Sequence, residues 1–309
     1  MRISVLTPTY NRGKLLNRLY YSLVKNLKFG IEIEWLIMDD GSTDQTEQLV
    51  NEFKEKKIKN LKIRYFKQEN YGKMIAINNL IQYVTGEYMI DCDSDDYFTD
   101  NAFKYMKEKI ESLKEEKNIY GLCFLKFDTK GQNIGKAFTK KRTTLFDLHF
   151  KEDDQGERAI LFVSSIRKQY KHKLENDENF ITEARMYYEM DKKNELLCFN
   201  LPIMICEYQM EGYTKNLKEH FLSNPNGYFR FFQEILEKDM RGVIFKKRIY
   251  AIKHYILFAT LTKQKYDLRK IKGFYNKLLI IILWIPGKMK TKRNFKYRFK
   301  IDMSQEDWK

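Results

Sequence analysis

Cysteine is scarce in this chain, and its placement excludes two structural classes. The four cysteines, Cys92, Cys123, Cys198 and Cys206, show no C-x-x-C spacing and have apolar neighbours, which argues against both a zinc site and a disulfide framework. Buried, reduced thiols are expected instead. Histidine is equally sparse, and His149, His172, His220 and His254 lack metal-ligand spacing. No G-x-G-x-x-G and no G-x-x-x-x-G-K-[ST] occurs, so neither a dinucleotide fingerprint nor a Walker loop is present. Long apolar runs are missing as well. The N-terminus "MRISVLTPTY" turns polar after four apolar residues, and the run Leu278 to Pro286 is only nine long. Neither export nor a membrane span is expected from such segments. There is no internal repeat and no low-complexity tract.

What is present is ample apolar and aromatic material for a core, 43% and 15% of 309 residues. The chain also carries a marked charge asymmetry. Of 57 Lys and Arg and 42 Asp and Glu, residues 241–309 hold 19 and 4, which leaves 38 of each sign in 1–240. The whole net charge of +15 therefore sits in the last 69 residues. Such a segment meets something anionic, a nucleic acid or an acidic membrane face.

The first hundred residues alternate in period. "ISVLTP", "EIEWLIMDD", "LKIRYFKQ" and "EYMIDCD" read as buried strands, separated by "GKLLNRLYYSLVKNL", "TDQTEQLVNEFKEK" and "GKMIAINNLIQYV" at helical spacing. Alternation of this kind predicts an α/β fold with a doubly wound, mainly parallel, Rossmann-like sheet, whose ligands lie beyond the carboxyl ends of the strands. Three polar clusters fall on that edge: "TPTYN", "DDGS" and "DCDSDD". From 119 to 208 the pattern becomes strand-rich, with "IYGLCFLKF", "RAILFVSS", "ELLCFN" and "IMICEYQ" around a helical "EARMYYEMDKK". After about 215 it is helical, aromatic and basic. The expected organisation is 1–115, 116–214 and a helical basic extension, 215–309.

The cluster Asp91, Asp93, Asp95, Asp96 is the densest chemistry. One or two acids suffice to cap a helix, whereas four so close together call for an offsetting cation. Hard oxygens two positions apart suit Mn²⁺ or Mg²⁺. A calcium EF-hand fails, because Asp96 replaces the required Gly and Ala102 the required Glu. An aspartate-dependent phosphohydrolase has an Asp at the right place but lacks the Thr or Val expected at Asp95. In "MDDGSTDQT", Asp39 or Asp40 can accept a hydrogen bond from a base imide or a ribose hydroxyl. Thr9 and Asn11 offer donors, and Tyr10 offers a flat face.

Taken in order and spacing, "SVLTPTYNR", "EWLIMDDGSTDQT", "NYGKMIAINNLI" and "GEYMIDCDSDDYF" resemble the family 2 glycosyltransferases of the GT-A fold over about the first 105 residues. The resemblance implies a nucleotide-sugar donor, with UDP the expected nucleotide, a divalent metal, and inversion at the anomeric carbon. It implies that Pro8, Thr9 and Tyr10 line the base pocket with Asn11 beside them, that Asp40 and Asp39 meet the base, and that Lys73 lies near the phosphates. Asp93-Ser94-Asp95 is the D-x-D element, with Asp96 also at metal or ribose; which of the three carboxylates ligates directly stays open. Family members place a general base at the start of a helix in the second lobe, often as Glu-Asp or Asp. Here "NFITEARMYYEMD" departs from that form and offers Glu183, with Asp177 and Glu178 as fallbacks. "QGERAILFVSSI" and "CEYQMEGYTKN" also look like stretches of bacterial transferases, and Glu157 and Arg158 are candidates to reach acceptor or diphosphate.

For the basic tail, no nucleic-acid module is recognisable, so nucleic acid is not expected as a partner. "LLIIILWIP", bordered by Lys277, Lys288, Lys290, Lys292 and Arg293, joins an apolar element to a polybasic one. The expectation is peripheral attachment at the inner face of the cell membrane, where a lipid-linked sugar acceptor is presented. The competing expectations are the phosphohydrolase and a non-catalytic scaffold of the same fold.

Overall fold

A computed structural model describes residues 1–207 and 217–296. Nearly all of "CEYQMEGYTKN" and the end of the basic tail lie outside the described residues. Nine strands form one sheet: β1 Arg2–Thr9, β2 Glu32–Asp39, β3 Leu61–Lys67, β4 Tyr88–Asp91, β5 Tyr97–Phe98, β6 Ile119–Asp128, β7 Arg142–Thr143, β8 Arg158–Val163 and β9 Glu195–Cys206. Their order is β3-β2-β1-β4-β8-β6-β9-β5, with β7 on β9.

The first four strands are all parallel, as crossover helices require. The helices between them are α1 Gly13–Asn26, α2 Thr46–Glu55 and α3 Lys73–Ile81, with α4 Ala102–Ile110 following β5. Central β1 and β2 are buried on both faces and read as near-continuous apolar runs, whereas edge strand β3 is half-buried and carries Lys62, Arg64 and Lys67. α1 turns Leu16, Leu19, Tyr20 and Leu23 inward at helical spacing, and Tyr20 stacks on Phe53 of α2 at 4.2 Å.

Register places the polar clusters together. Leu6 pairs with Asp91 and Thr9 with Asp39, so the ends of β1, β2 and β4 open onto one edge. The second half of the sheet is mixed: β8 runs antiparallel to both β4 and β6, while β9 is parallel to β6. "ELLCFN" and "IMICEYQ", read above as two strands, are one strand, β9. Its ladder skips from Phe124–Phe199 to Leu125–Pro202, so Asn200 and Leu201 bulge. Pro202 has no N–H for the ladder, and the bulge accommodates it. Asn200 then uses its side chain, accepting from Phe138 N at 2.7 Å and donating to Phe138 O at 3.0 Å.

The chain divides into two compact units. One comprises Met1–Phe146, Gly156–Lys173 and the segment from Thr182 through β9; the other comprises Asp147–Gln155, Leu174–Ile181 and the helices from Leu217 onward. Besides the sheet, the first contains short α6 Ser164–Arg167 and α7 Ala184–Met190; α5 Leu145–Phe150 straddles the division. The second contains α8 Leu217–Ser223, α9 Pro225–Leu236, α10 Phe245–Leu261 and α11 Phe274–Lys296. Its core is aromatic: Tyr228 stacks on Phe258 and Phe229 on Tyr255, both at 5.4 Å.

Candidate functional site

All the groups that follow, Glu178 and Asp177 excepted, belong to the sheet-containing unit. The edge is assembled loop by loop. Asn11, in left-handed conformation with φ 50°, accepts from Thr43 N at 2.8 Å, and its own N–H donates to Ser42 Oγ at 2.8 Å. This clasps the turn after β1 to the turn after β2. Pro8 and Thr9 are buried there, while Tyr10 is 47% exposed, a ring open to a partner. Asp39 is buried, accepting from Ser42 N at 2.7 Å and from the Tyr65 hydroxyl. Asp40, also buried, accepts from Gln68 Nε2 at 2.7 Å, Tyr71 N at 2.9 Å and Gly72 N at 2.8 Å. Asp40 thus fixes the entry to α3, whose N-cap Gly72 has φ 90°, a region that favours glycine.

That entry aims Lys73. Its Nζ donates to Asp93 Oδ2 at 2.7 Å and pairs with Glu183 Oε1 at 2.8 Å. Burial works against the charge on Lys73, yet Asp93 and Glu183 overcome it and hold the ammonium well above its ordinary range. Glu183 occupies the N-cap position of α7 but makes no side-chain cap; its carboxylate is given to Lys73 instead.

Besides Asp93, two further carboxylates of the acidic turn have a cation of their own. Asp95 meets Arg12 at 2.7 Å, and Asp96 meets Lys126 at 3.0 Å. Burial raises Asp95, with Asp93 adding to it and Arg12 opposing. Burial likewise lifts Asp96 to about 6 even with Lys126 present, and Asp91 to about 6 against the Arg167 charge. Asp93 goes the other way, because Lys73 and Lys126 outweigh its burial. Asp91 Oδ1 is buried without a hydrogen-bond partner. Ser94 is buried between these acids. Asp91, Asp93 and Glu183 line a small cavity of about 30 Å³ together with Lys126, Arg158 and Tyr187.

An orphaned buried carboxylate oxygen amid acids that burial pushes toward protonation, all of them hard donors, fits a divalent cation. Asp93, Asp95 and Asp96 offer carboxylates of that kind. Among the described residues, the three that bring ligand atoms within 4.8 Å of one another are instead Asp96, Glu157 and Cys206. There, however, the Lys126 ammonium already contacts both carboxylates, at 3.0 and 3.4 Å, and burial drives the Cys206 thiol far up.

Of the sequence-predicted residues, Lys73, Asp93, Asp95, Asp96 and Glu183 converge, and Glu157 and Arg158 flank them. Glu178 does not: it accepts from Asn226 N and Gly227 N at 2.6 Å, capping α9 in the other unit. Asp177 is exposed. Sequence reasoning missed Arg12, Lys126 and Tyr187. Arg12 directly follows "PTYN", and Lys126 interrupts the apolar run "GLCFLKF", a charge inside a strand that needs a buried partner.

The chain is 32% identical over 131 residues to an uncharacterized glycosyltransferase, MG060, of Mycoplasma genitalium, a match covering 41% of this chain and 44% of that protein. It is 36% identical over 104 residues to poly(ribitol-phosphate) beta-N-acetylglucosaminyltransferase TarS of Staphylococcus aureus, covering 34% of this chain and 18% of TarS. These matches thus span less than half the length of either relative. Among solved structures, TarS 1-349 in complex with UDP-GlcNAc superposes with a TM-score of 0.59 at 16% identity, over 96% of this chain and 92% of that one. The mannosyltransferase PcManGT of Pyrobaculum calidifontis, in complex with GDP-Man and Mn²⁺, gives 0.54 at 12% identity, over 94% and 83%. At such identities the likeness establishes the fold, which is GT-A. The sequence model of glycosyl transferase family 2 matches residues 4–232, most of the chain and every segment of the acidic edge; the chain belongs to that family.

Proposed function

We propose that the protein is an inverting, metal-dependent glycosyltransferase of the hexosyltransferase type. It would move a sugar from a nucleotide-sugar donor, a UDP-sugar, to a hydroxyl of a growing bacterial surface glycan. The observation that carries this reading is Lys73, which joins Asp93 of the acidic turn to Glu183 of the second lobe through one ammonium. Donor-side and acceptor-side groups from distant parts of the chain meet there.

The roles follow from charge. Departure of a nucleoside diphosphate builds negative charge, and a Mn²⁺ or Mg²⁺ ion held by Asp93, Asp95 and Asp96 would supply stabilisation for it. Lys73 supports the same charge from the chain itself. As Lys73 turns to the diphosphate, the Glu183 carboxylate loses its partner and is free to take the acceptor hydroxyl proton as the new glycosidic C–O bond forms and the sugar–phosphate C–O bond breaks. Tyr10 offers a stacking face to the base, with Pro8, Thr9, Asn11, Asp39 and Asp40 as its frame. The phosphohydrolase reading is disfavoured by the same contacts, because Asp93 is engaged by Lys73. Likewise, a scaffold has no use for this set of ion pairs. The acceptor fits a glycan or lipid-linked sugar, and the enzyme a cytoplasmic location at the inner membrane face. The TarS and PcManGT complexes support nucleotide-sugar use and the metal by likeness of fold.

The test is nucleoside diphosphate release from a panel of nucleotide sugars, with MnCl₂ or with EDTA, for the parent, Asp93→Asn and Glu183→Gln. Metal-stimulated release, reduced about 100-fold or more in Glu183→Gln, is expected. No release from any donor would overturn the activity, and undiminished turnover in Glu183→Gln would remove Glu183 as the base.

A further inference from the structure

We propose that the outward face of α11 is a docking surface for an anionic lipid bilayer. One face of this helix packs inward: Ile280 and Asn276 are fully buried or nearly so, and a Cβ at Gly287 would lie 2.9 Å from Ile256 of α10. Among the described residues, the opposite face is apolar and unpartnered. Phe274 is 81% exposed, Leu278 40%, Ile281 53%, Ile282 58%, Ile285 69% and Met289 66%. At about 100° per residue these six fall within an arc of roughly 100°, one continuous stripe four turns long. A stripe of large apolar side chains left in water marks an interaction surface.

Charge selects the occupant. Lys277 and Lys288 sit together on one margin of the stripe, eleven residues and three turns apart. The segment 241–309 carries 19 basic and 4 acidic residues. A second copy would bring the same excess of positive charge against the first and be repelled. A nucleic acid would satisfy the lysines but leave the isoleucines wet. An anionic leaflet satisfies both at once, with the stripe at the acyl boundary and the cations at the headgroups. The helix lies on the bilayer rather than through it: no helix among the described residues is long and apolar enough to cross a membrane. The nine-residue apolar run spans only about 14 Å of a hydrocarbon layer of about 30 Å.

Full-length protein co-sedimented with vesicles of phosphatidylcholine, and of phosphatidylcholine with roughly one quarter phosphatidylglycerol, tests this at low and physiological salt. At least about tenfold more protein should be bound to the anionic vesicles. The double variant Ile281→Ser, Ile285→Ser should reduce that binding about tenfold with an unchanged thermal midpoint, since both sites are exposed. Should that variant fold poorly, Ile282→Ser with Met289→Ser probes the same stripe, and Lys277→Glu with Lys288→Glu should weaken binding to the anionic vesicles alone. Absence of vesicle binding, or binding indifferent to the serine variants, would overturn the proposal. So would concentration-dependent self-association that the serine variants abolish. Nucleoside diphosphate release is read separately, so a failure here leaves the catalytic reading standing, and the reverse.

Discussion

Asp91 shows how burial alone can give a side chain a distinct chemistry within a cluster of like residues. Its carboxyl is raised to about 6 by desolvation, whereas Asp93, two positions on, is lowered by Lys73 and Lys126. A carboxyl raised in the folded state binds more protons there than in the unfolded chain between about pH 4 and 6. Stability therefore falls as pH rises through that window and stays lower above it. Asp91→Asn should accordingly stabilise the protein at pH 7 by about 3 kcal/mol and leave it little changed near pH 4; urea melts at the two pH values check this. Lys126 makes the complementary case, a cation built into an acidic pocket. Lys126→Met leaves Asp96, Glu157 and Cys206 without it, and these three can then ligate a metal. Titration with Co²⁺ should produce a thiolate charge-transfer band in the variant and none in the parent.

Near the amino-terminal ends of the parallel strands, away from the acidic edge, β1, β2 and β3 are tied together by one side chain that sequence reading passed over. Glu34, fully buried in β2, accepts from Ser4 Oγ of β1 at 2.7 Å, from Thr85 N at 2.9 Å and from Arg64 of β3 at 3.2 Å. Burial raises its carboxyl, but hydrogen bonds from Thr85, Ser4 and Arg64 outweigh burial and leave it low. Glu34→Ala should cost about 3 kcal/mol at neutral pH by stranding its donors, seen as a lower urea midpoint. A depressed carboxyl stabilises above its unfolded value, so the difference between variant and parent should shrink as pH drops below about 4.

The elements themselves were legible because period 2 and period 3.6 alternate cleanly over the first hundred residues, and the crossover rule then fixes which ends share an edge. Asp93 could be placed on that edge for this reason, whereas Lys73 was assigned near the phosphates only through the family resemblance. The join of two apparent strands into β9 could not be read, because Pro202 signals a break in isolation and only the neighbouring strand shows the chain resuming. Arg12 and Lys126 were missed for a related reason: a cation's partner is set by tertiary approach, and nothing local in "NRG" or "FLKF" names Asp95 or Asp96.

At the scale of the whole molecule, six carboxylates crowd one edge while the excess of positive charge lies in the last 69 residues. Arg12, Lys73 and Lys126 answer part of that charge at the edge itself, and a bound diphosphate would add to what they leave unmet. UDP with Mn²⁺ should raise the thermal midpoint more than the sum of either alone, because the metal relieves the carboxylates and the diphosphate at the same time. Differential scanning fluorimetry measures it, and additive or absent shifts would contradict it. What the sequence could not show at this scale is which basic residues serve the site and which lie elsewhere, because composition counts charges without locating them.

Just beyond Pro202 the β9 ladder skips one further residue, Ile203, between Leu125–Pro202 and Lys126–Met204, and this odd-numbered bulge acts as a phase setter. Side chains alternate faces along a strand, so the parity of β9 beyond the bulge decides what arrives beside Asp96. In the native phase it is Cys206, whose thiol donates to Asp96 at 3.2 Å. Deleting one residue at the bulge would advance Glu207 into that place and set a third carboxylate against Asp96 and Glu157. A loss of one uncharged residue, some distance along the strand from Asp96, would thus undo the charge balance of the acidic edge.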